Sequence, residues 1–104
     1  SMIVDERIYR IQPGKLGEFI AIFEANGLEV QKRILGNLIG YFTTEEGELS
    51  TIVQLWGYDS MEDRSRRRAR LYADPQWLAY RQMNTHMIQH MSNRILVSTP
   101  FSPL

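Results

Sequence analysis

Three strand-like stretches in this chain carry apolar side chains on both alternating faces, and that pattern narrows the possible folds more than any other feature. In residues 49–58, "LSTIVQLWGY", Ile52, Trp56 and Tyr58 point one way while Val53 and Leu55 point the other. In residues 93–99, "NRILVST", Ile95 and Val97 oppose Leu96, and in residues 38–44, "LIGYFTT", Leu38 and Phe42 oppose Ile39 and Tyr41. Successive side chains of a strand alternate between the two faces of a sheet. An antiparallel sheet with one wet face would read as a clean apolar–polar alternation. This sheet needs a cover on each face: helices on one, and on the other a second copy of the chain, packed sheet against sheet as a homodimer.

The remaining elements follow from periodicity and punctuation. Residues 3–11, "IVDERIYRI", read as a strand ended by the turn "QPGK". Leu16, Phe19, Ile20, Phe23, Gly27, Val30 and Ile34 then recur at helical spacing, which predicts one long helix ended by Gly36, with a break at Asn26-Gly27 as the alternative. Ser60 and Asp63 form a capping-box-like start for the next helix, and Asp74-Pro75 restarts the helix, which is expected to run to about Met91. The tail "PFSPL" is expected to be extended, since its prolines prevent further helix.

The order strand, helix, strand, strand, helix pair, strand, together with right-handed crossovers, predicts an α+β fold. It is a ferredoxin-like βαββαβ sandwich with a four-stranded antiparallel sheet and its helices on one side. At 104 residues the chain makes one domain, taken as 2–104 with Ser1 set aside as a cloning remnant.

Five arginines fall within residues 64–70. On a helical wheel Met61, Ser65, Ala69 and Tyr72 form the small apolar stripe. Arg66, Arg67 and Arg70 lie away from it, and Arg64 and Arg68 flank one edge. Glu62 and Asp63 precede Arg66 and Arg67 by four residues, so the run supplies its own counter-charges. It reads mainly as a solvated helix face, with an anion or carboxylate contact from Arg64 or Arg68 as the alternative. Twelve basic and twelve acidic residues cancel and no aromatics interleave the arginines, which argues against nucleic acid as a partner.

The chain has no cysteine, so disulfides and thiolate metal sites are excluded, and a cytoplasmic setting is expected. No apolar run reaches a membrane span and no leader opens the chain. His86 and His90 share a predicted helix at a spacing of four, beside a stripe of Trp77, Tyr80, Met83, Met87, Ile88 and Met91. They lack a third ligand nearby in sequence, so neither a metal nor a cofactor is expected. No nucleophile elbow, phosphate loop or dinucleotide fingerprint is present.

The first strand carries charge on both faces: Asp5, Arg7 and Tyr9 on one, Glu6 and Arg10 with Val4 and Ile8 on the other. Buried charges need partners. One reading is ion pairing within the sheet or across subunits. The other is a small-molecule cleft between sheet and helices, lined by Tyr9, Tyr41, Trp56 and Tyr58, with Arg7 and His86 supplying polarity.

The stretches "RIYRIQPGKLGEF", "LGNLIGYFTTEEGELSTIVQLWGYDSMEDRSRRRARLYADPQW" and "NRILVSTPFSPL" cover nearly the whole chain and resemble the NIPSNAP family. "QPGK", "LWGYDSMEDR", "DPQW" and "FSPL" occur in that order. The resemblance implies the dimeric α/β-barrel form of the ferredoxin-like fold. Similar sequences often carry a histidine just before the "LW" of the third strand, where this chain has Gln54. Three functional readings follow. The first is a homodimer binding a small apolar or aromatic ligand in the cleft. The second is a cofactor-independent monooxygenase- or isomerase-like enzyme with His86 as its base. The third is a purely structural or interaction domain.

Overall fold

The computed structural model describes residues 2–104, and Ser1 lies outside them. Strands β1 (Ile3–Ile11), β2 (Asn37–Thr43), β3 (Thr51–Tyr58) and β4 (Ile88–Val97) form one antiparallel sheet in the order β2-β3-β1-β4. Helices α1 (Leu16–Asn26), α2 (Leu28–Leu35), α3 (Met61–Ala73) and α4 (Pro75–Asn84) fill the two crossovers. This is the expected ferredoxin-like α+β arrangement. No helix is long and apolar enough to cross a membrane.

The helix-facing side of the sheet holds the core. Trp56 and Tyr58 pack with Phe23, Val30, Leu71 and Tyr80, and Ile52 packs with Ile11, Phe19 and Met87. Ile52, Leu71 and Leu35 are almost completely buried. Each such side chain contributes about 1.5–3 kcal/mol of apolar burial. The predicted caps are in place. Ser60 Oγ accepts from the Asp63 amide at 3.0 Å, and Asp74 Oδ1 accepts from the amides of Gln76 and Trp77 at 2.9 and 3.1 Å. Gly36 ends α2 at φ 93°, a left-handed conformation that favours glycine.

Several expectations are corrected. The single helix over residues 15–35 gives way to its alternative, a break at Asn26-Gly27: two helices meet at Gly27, whose φ and ψ of −120° and −30° depart from helical values. The reason is a close approach: a Cβ at Gly27 would lie 2.9 Å from the Tyr80 ring. The last helix stops at Asn84, seven residues before Met91, where the buried Asn84 side chain donates to Tyr80 Oη at 2.9 Å and to the Phe19 carbonyl of α1 at 3.5 Å. A 3-10 turn, Thr85–Met87, then leads straight into β4. His86 therefore lies on that turn and His90 on a strand, so the two are not helical neighbours. Met87 is buried, whereas Met83 and Met91 are exposed, so the methionines do not form one stripe.

The faces of β2 are also reassigned. Leu38 pairs with Trp56 and Gly40 with Leu55, so Ile39 is an extra, bulged residue. A one-residue insertion flips every later side chain. Leu38 and Tyr41 thus both pack on the helix side, while Phe42 lies over Gly40 on the outer side. The tail is not simply extended. It turns at Thr99–Ser102, and Leu104 comes back to share a groove with Val4, Leu55 and Leu96 on the outer face.

The arginine helix is rotated from its expected setting. Met61 and Tyr72 are exposed, and the face turned inward is Arg64, Arg67, Arg68 and Leu71. Arg67 donates from Nε to Asp63 and from Nη1 to the Ile34 carbonyl, closing the end of α2. Arg64 reaches a sheet carboxylate, which is the alternative raised by its position on the stripe's edge. A wheel ranks residues by hydropathy, and here ion pairing placed guanidinium groups where an apolar stripe was sought.

Two glycine substitutions should separate propensity from packing. Gly17→Ala meets nothing within 4 Å and should raise stability by up to about 1 kcal/mol. Gly27→Ala meets the buried Tyr80 ring and should cost about 1–3 kcal/mol in urea unfolding. Equal effects of the two changes would show that the Tyr80 contact is unimportant.

Candidate functional site

The antiparallel register places four polar residues in one row across the helix-facing side of the sheet. Tyr41 pairs with Gln54, Gln54 with Arg7, and Arg7 with Asn93, one residue from each strand. The adjacent rows add Asp5 beside Trp56 on one side and Tyr9 beside Ile52 on the other. A polar rung beneath a helical layer must satisfy its own hydrogen bonds or a ligand's.

Most of its groups are satisfied internally. Gln54, nearly fully buried, accepts from the Trp56 indole N–H at 2.7 Å through Oε1. Asp5 is fully buried and accepts from three donors: Asn93 Nδ2 at 2.9 Å, Arg64 Nε at 3.0 Å and Arg7 Nη1 at 3.3 Å. Arg7 also donates from Nε to Tyr9 Oη at 3.2 Å. The carboxylate thereby joins its own strand to β4 and to α3. Burial alone would raise the Asp5 pKa, but the Asn93 amide and the Arg64 and Arg7 guanidinium groups outweigh it and hold it below the ordinary carboxylate value.

The tyrosines behave differently. Burial, with Tyr80 and Tyr9 nearby, pushes the Tyr41 phenol far above its ordinary value. Burial likewise pushes Tyr80 up to about 12, against the hydrogen bond from Asn84. These phenols stay protonated at neutral pH and serve as hydrogen-bond groups. The Tyr58 hydroxyl is buried without a partner among the described residues, a state that costs about 1–3 kcal/mol.

The rung opens at its β2 end. Tyr41 lines a mostly apolar cleft of about 210 Å³ between α1, α2 and the sheet, together with Ile20, Phe23, Glu24, Leu28 and Leu38. The Tyr41 ring stacks on Phe23 with centroids 5.0 Å apart and planes 13° apart.

Of the residues named from sequence, Arg7, Tyr9, Tyr41, Trp56 and Tyr58 share this face. Tyr41 reaches it only because of the bulge at Ile39. Trp56 and Tyr58 sit inside the core, so neither offers a surface to the cleft. His86 stands apart, exposed in a separate groove with Leu78, Arg81, Gln82 and Thr85. Sequence reasoning missed Asn93, Arg64 as the partner of Asp5, and the Phe23, Leu28 and Leu38 walls. The register supplies Asn93, since it pairs with Arg7, but the helix-to-strand contacts leave no local signal. No group of three or more metal-ligating side chains occurs among the described residues.

The order of strands and helices defines a ferredoxin-like α+β domain with a polar rung under its helices. The sequence profile of the NIPSNAP family matches residues 4–103, and the chain belongs to that family. It is similar to a NIPSNAP family protein of known structure from Agrobacterium tumefaciens, with 47% identity, a TM-score of 0.98 and coverage of 100% of this chain and 99% of that one. A NipSnap homolog from Dictyostelium discoideum is 36% identical over 91 residues, 88% of this chain and 40% of that protein. The chain spans 40% or less of the length of the curated relatives it matches. A candidate antibiotic biosynthesis monooxygenase from Nitrosomonas europaea shares the fold, with a TM-score of 0.70, 10% identity and coverage of 97% and 93% of the two chains.

The Asp5 network makes a stability prediction with a defined pH window. A depressed carboxyl pKa contributes stability that is complete above the unfolded value near 3.8 and is lost as pH falls through the folded value. Asp5→Asn leaves Arg7 and Arg64 without their shared carboxylate and should cost about 3–5 kcal/mol at pH 7. The variant's urea midpoint should also lose part of the wild-type decline below about pH 4. An unchanged acid limb in the variant would assign that decline to other carboxylates.

Proposed function

We propose that the domain acts as a homodimer that binds a small, largely apolar or aromatic ligand in the sheet–helix cleft of each subunit. One observation carries this reading: the polar rung ends at Tyr41 in an apolar cleft of about 210 Å³, leaving a phenol as the cleft's inner polar group. Small-molecule sites combine apolar walls with a few placed polar groups in this way. The volume suits a ligand of modest size, held by Phe23, Leu28 and Leu38 and oriented by Tyr41.

The outer face of the sheet supports the dimer. Val53, Leu55, Ile8 and Leu96 are half-buried there and Phe42 is 55% exposed, while the charges beside them are paired as Glu6–Arg94 and Arg10–Glu48. The Glu6–Arg94 pair lies among these apolar residues, and a face whose charges are already paired can be buried against a second copy.

An oxygenase- or isomerase-like activity would need a general base at the cleft. His86 lies in another groove, the Asp5 carboxylate is engaged by three donors, the phenols are held protonated, and Glu24, the carboxylate among the cleft's lining residues, is exposed to solvent. The geometry favours binding over proton abstraction.

Native mass spectrometry of protein taken from its source should read a dimer that retains one small molecule per subunit. Leu28→Trp fills the cleft and should reduce that retention at least tenfold with the circular dichroism spectrum unchanged. A ligand-free monomer at micromolar concentration would falsify the proposal.

A further inference from the structure

Charge is out of balance at the far end of the rung, where β1 meets β4. Arg7 and Arg64 both bond Asp5, and Arg68 stands one helical turn beyond Arg64 on the inward face of α3. Among the described residues Arg68 pairs with no carboxylate; its guanidinium lies 5.4 Å from the centre of the Tyr72 ring. Two guanidinium groups thus share one carboxylate, and a third, Arg68, has none among the described residues. Arg7 is more than nine-tenths buried, and its two bonds use Nε and Nη1, so Nη2 is engaged by neither. The buried Tyr58 hydroxyl, which feels the charges of Arg68, Asp5, Arg64 and Arg7, has no partner among the described residues.

The same end of the sheet exposes apolar surface. The register sets Met91 beside Tyr9, Asn93 beside Arg7, Ile95 beside Asp5 and Val97 beside Ile3, so all four face the helix side. Yet Met91 is 46% and Val97 73% exposed, because the helical layer leaves this edge strand uncovered. A surplus of positive charge, with Arg7 buried and Arg68 partly so, beside an uncovered apolar row is complementary to one kind of molecule. Burial strengthens a charged pair only when both charges are present, and guanidinium groups favour oxyanions.

We propose that the trough between α3 and β4 binds a small amphipathic carboxylate. Its head group lies against Arg7 and Arg68, with Asn93 as a further donor, and its alkyl chain runs along Met91, Ile95 and Val97. This site is separate from the Tyr41 cleft, at the opposite end of the rung, and does not depend on the ligand assigned there.

Isothermal titration of the full chain with octanoate, 1-octanol and inorganic phosphate tests it. Octanoate should bind at least tenfold more tightly than the other two. Arg68→Gln, which removes no ion pair of the folded chain, should weaken octanoate at least tenfold and leave the circular dichroism spectrum unchanged. Leu28→Trp, which fills the other cleft, should leave octanoate affinity as it was. Equal binding of octanol removes the role of charge, and equal binding of phosphate removes the role of the apolar row; either overturns the proposal. So does full octanoate affinity in Arg68→Gln. If Val97→Asp disrupts self-association and leaves octanoate binding untouched, a second copy of the chain covers the row and the proposal fails.

Discussion

The Asp5 carboxylate is fully buried between sheet and helices, and the arrangement around it depends on keeping it charged. Its own strand supplies Arg7, α3 supplies Arg64 and the edge strand supplies Asn93. Removing a carboxylate from water costs several kcal/mol unless good geometry returns it. Three donors on three elements return it only if β1, β4 and α3 stand in their native positions. The ion cluster therefore specifies how α3 sits on the sheet, a role that apolar packing of Leu71 alone leaves loose. It also explains why α3 turns arginines inward and leaves Met61 and Tyr72 outside.

From that cluster the polar rung extends across the sheet to Tyr41, through Gln54. The carboxamide oxygen of Gln54 accepts the Trp56 indole proton and holds the ring in the core. Similar sequences often place a histidine here. A neutral imidazole nitrogen could accept the same proton, but it would also titrate near neutral pH. Glutamine retains the acceptor without the titration.

Much of the fold was legible in the chain. Gly36, Ser60 and Asp74 mark helix ends through local chemistry, and each behaves as read. The stripe Phe19, Phe23, Gly27, Val30 and Ile34 is buried as its period demands. The failures share one cause, which is contact between residues distant in sequence. The helix breaks at Gly27, where Tyr80 packs on it, and α4 ends at Asn84, whose buried amide reaches the Phe19 carbonyl 65 residues away. The bulge at Ile39 depends on its pairing with β3. Of the candidate residues, parity set Arg7 with Tyr9 and Trp56 with Tyr58, but joining the two pairs, bringing in Tyr41 and separating His86 needed the register and the tertiary contacts.

The short apolar strand-like runs, the caps and the two crossovers were enough to determine a four-stranded antiparallel sheet with helices on one side, because those signals act within a few residues of each other. Which arginines turn inward, which tyrosine meets the cleft and which carboxylate holds the elements in register were decided only when the sheet and helices met. Burying a charge or a phenol is tolerable only where a partner from another element arrives, and a partner 59 or 88 residues away, as Arg64 and Asn93 are from Asp5, leaves no mark on the local pattern.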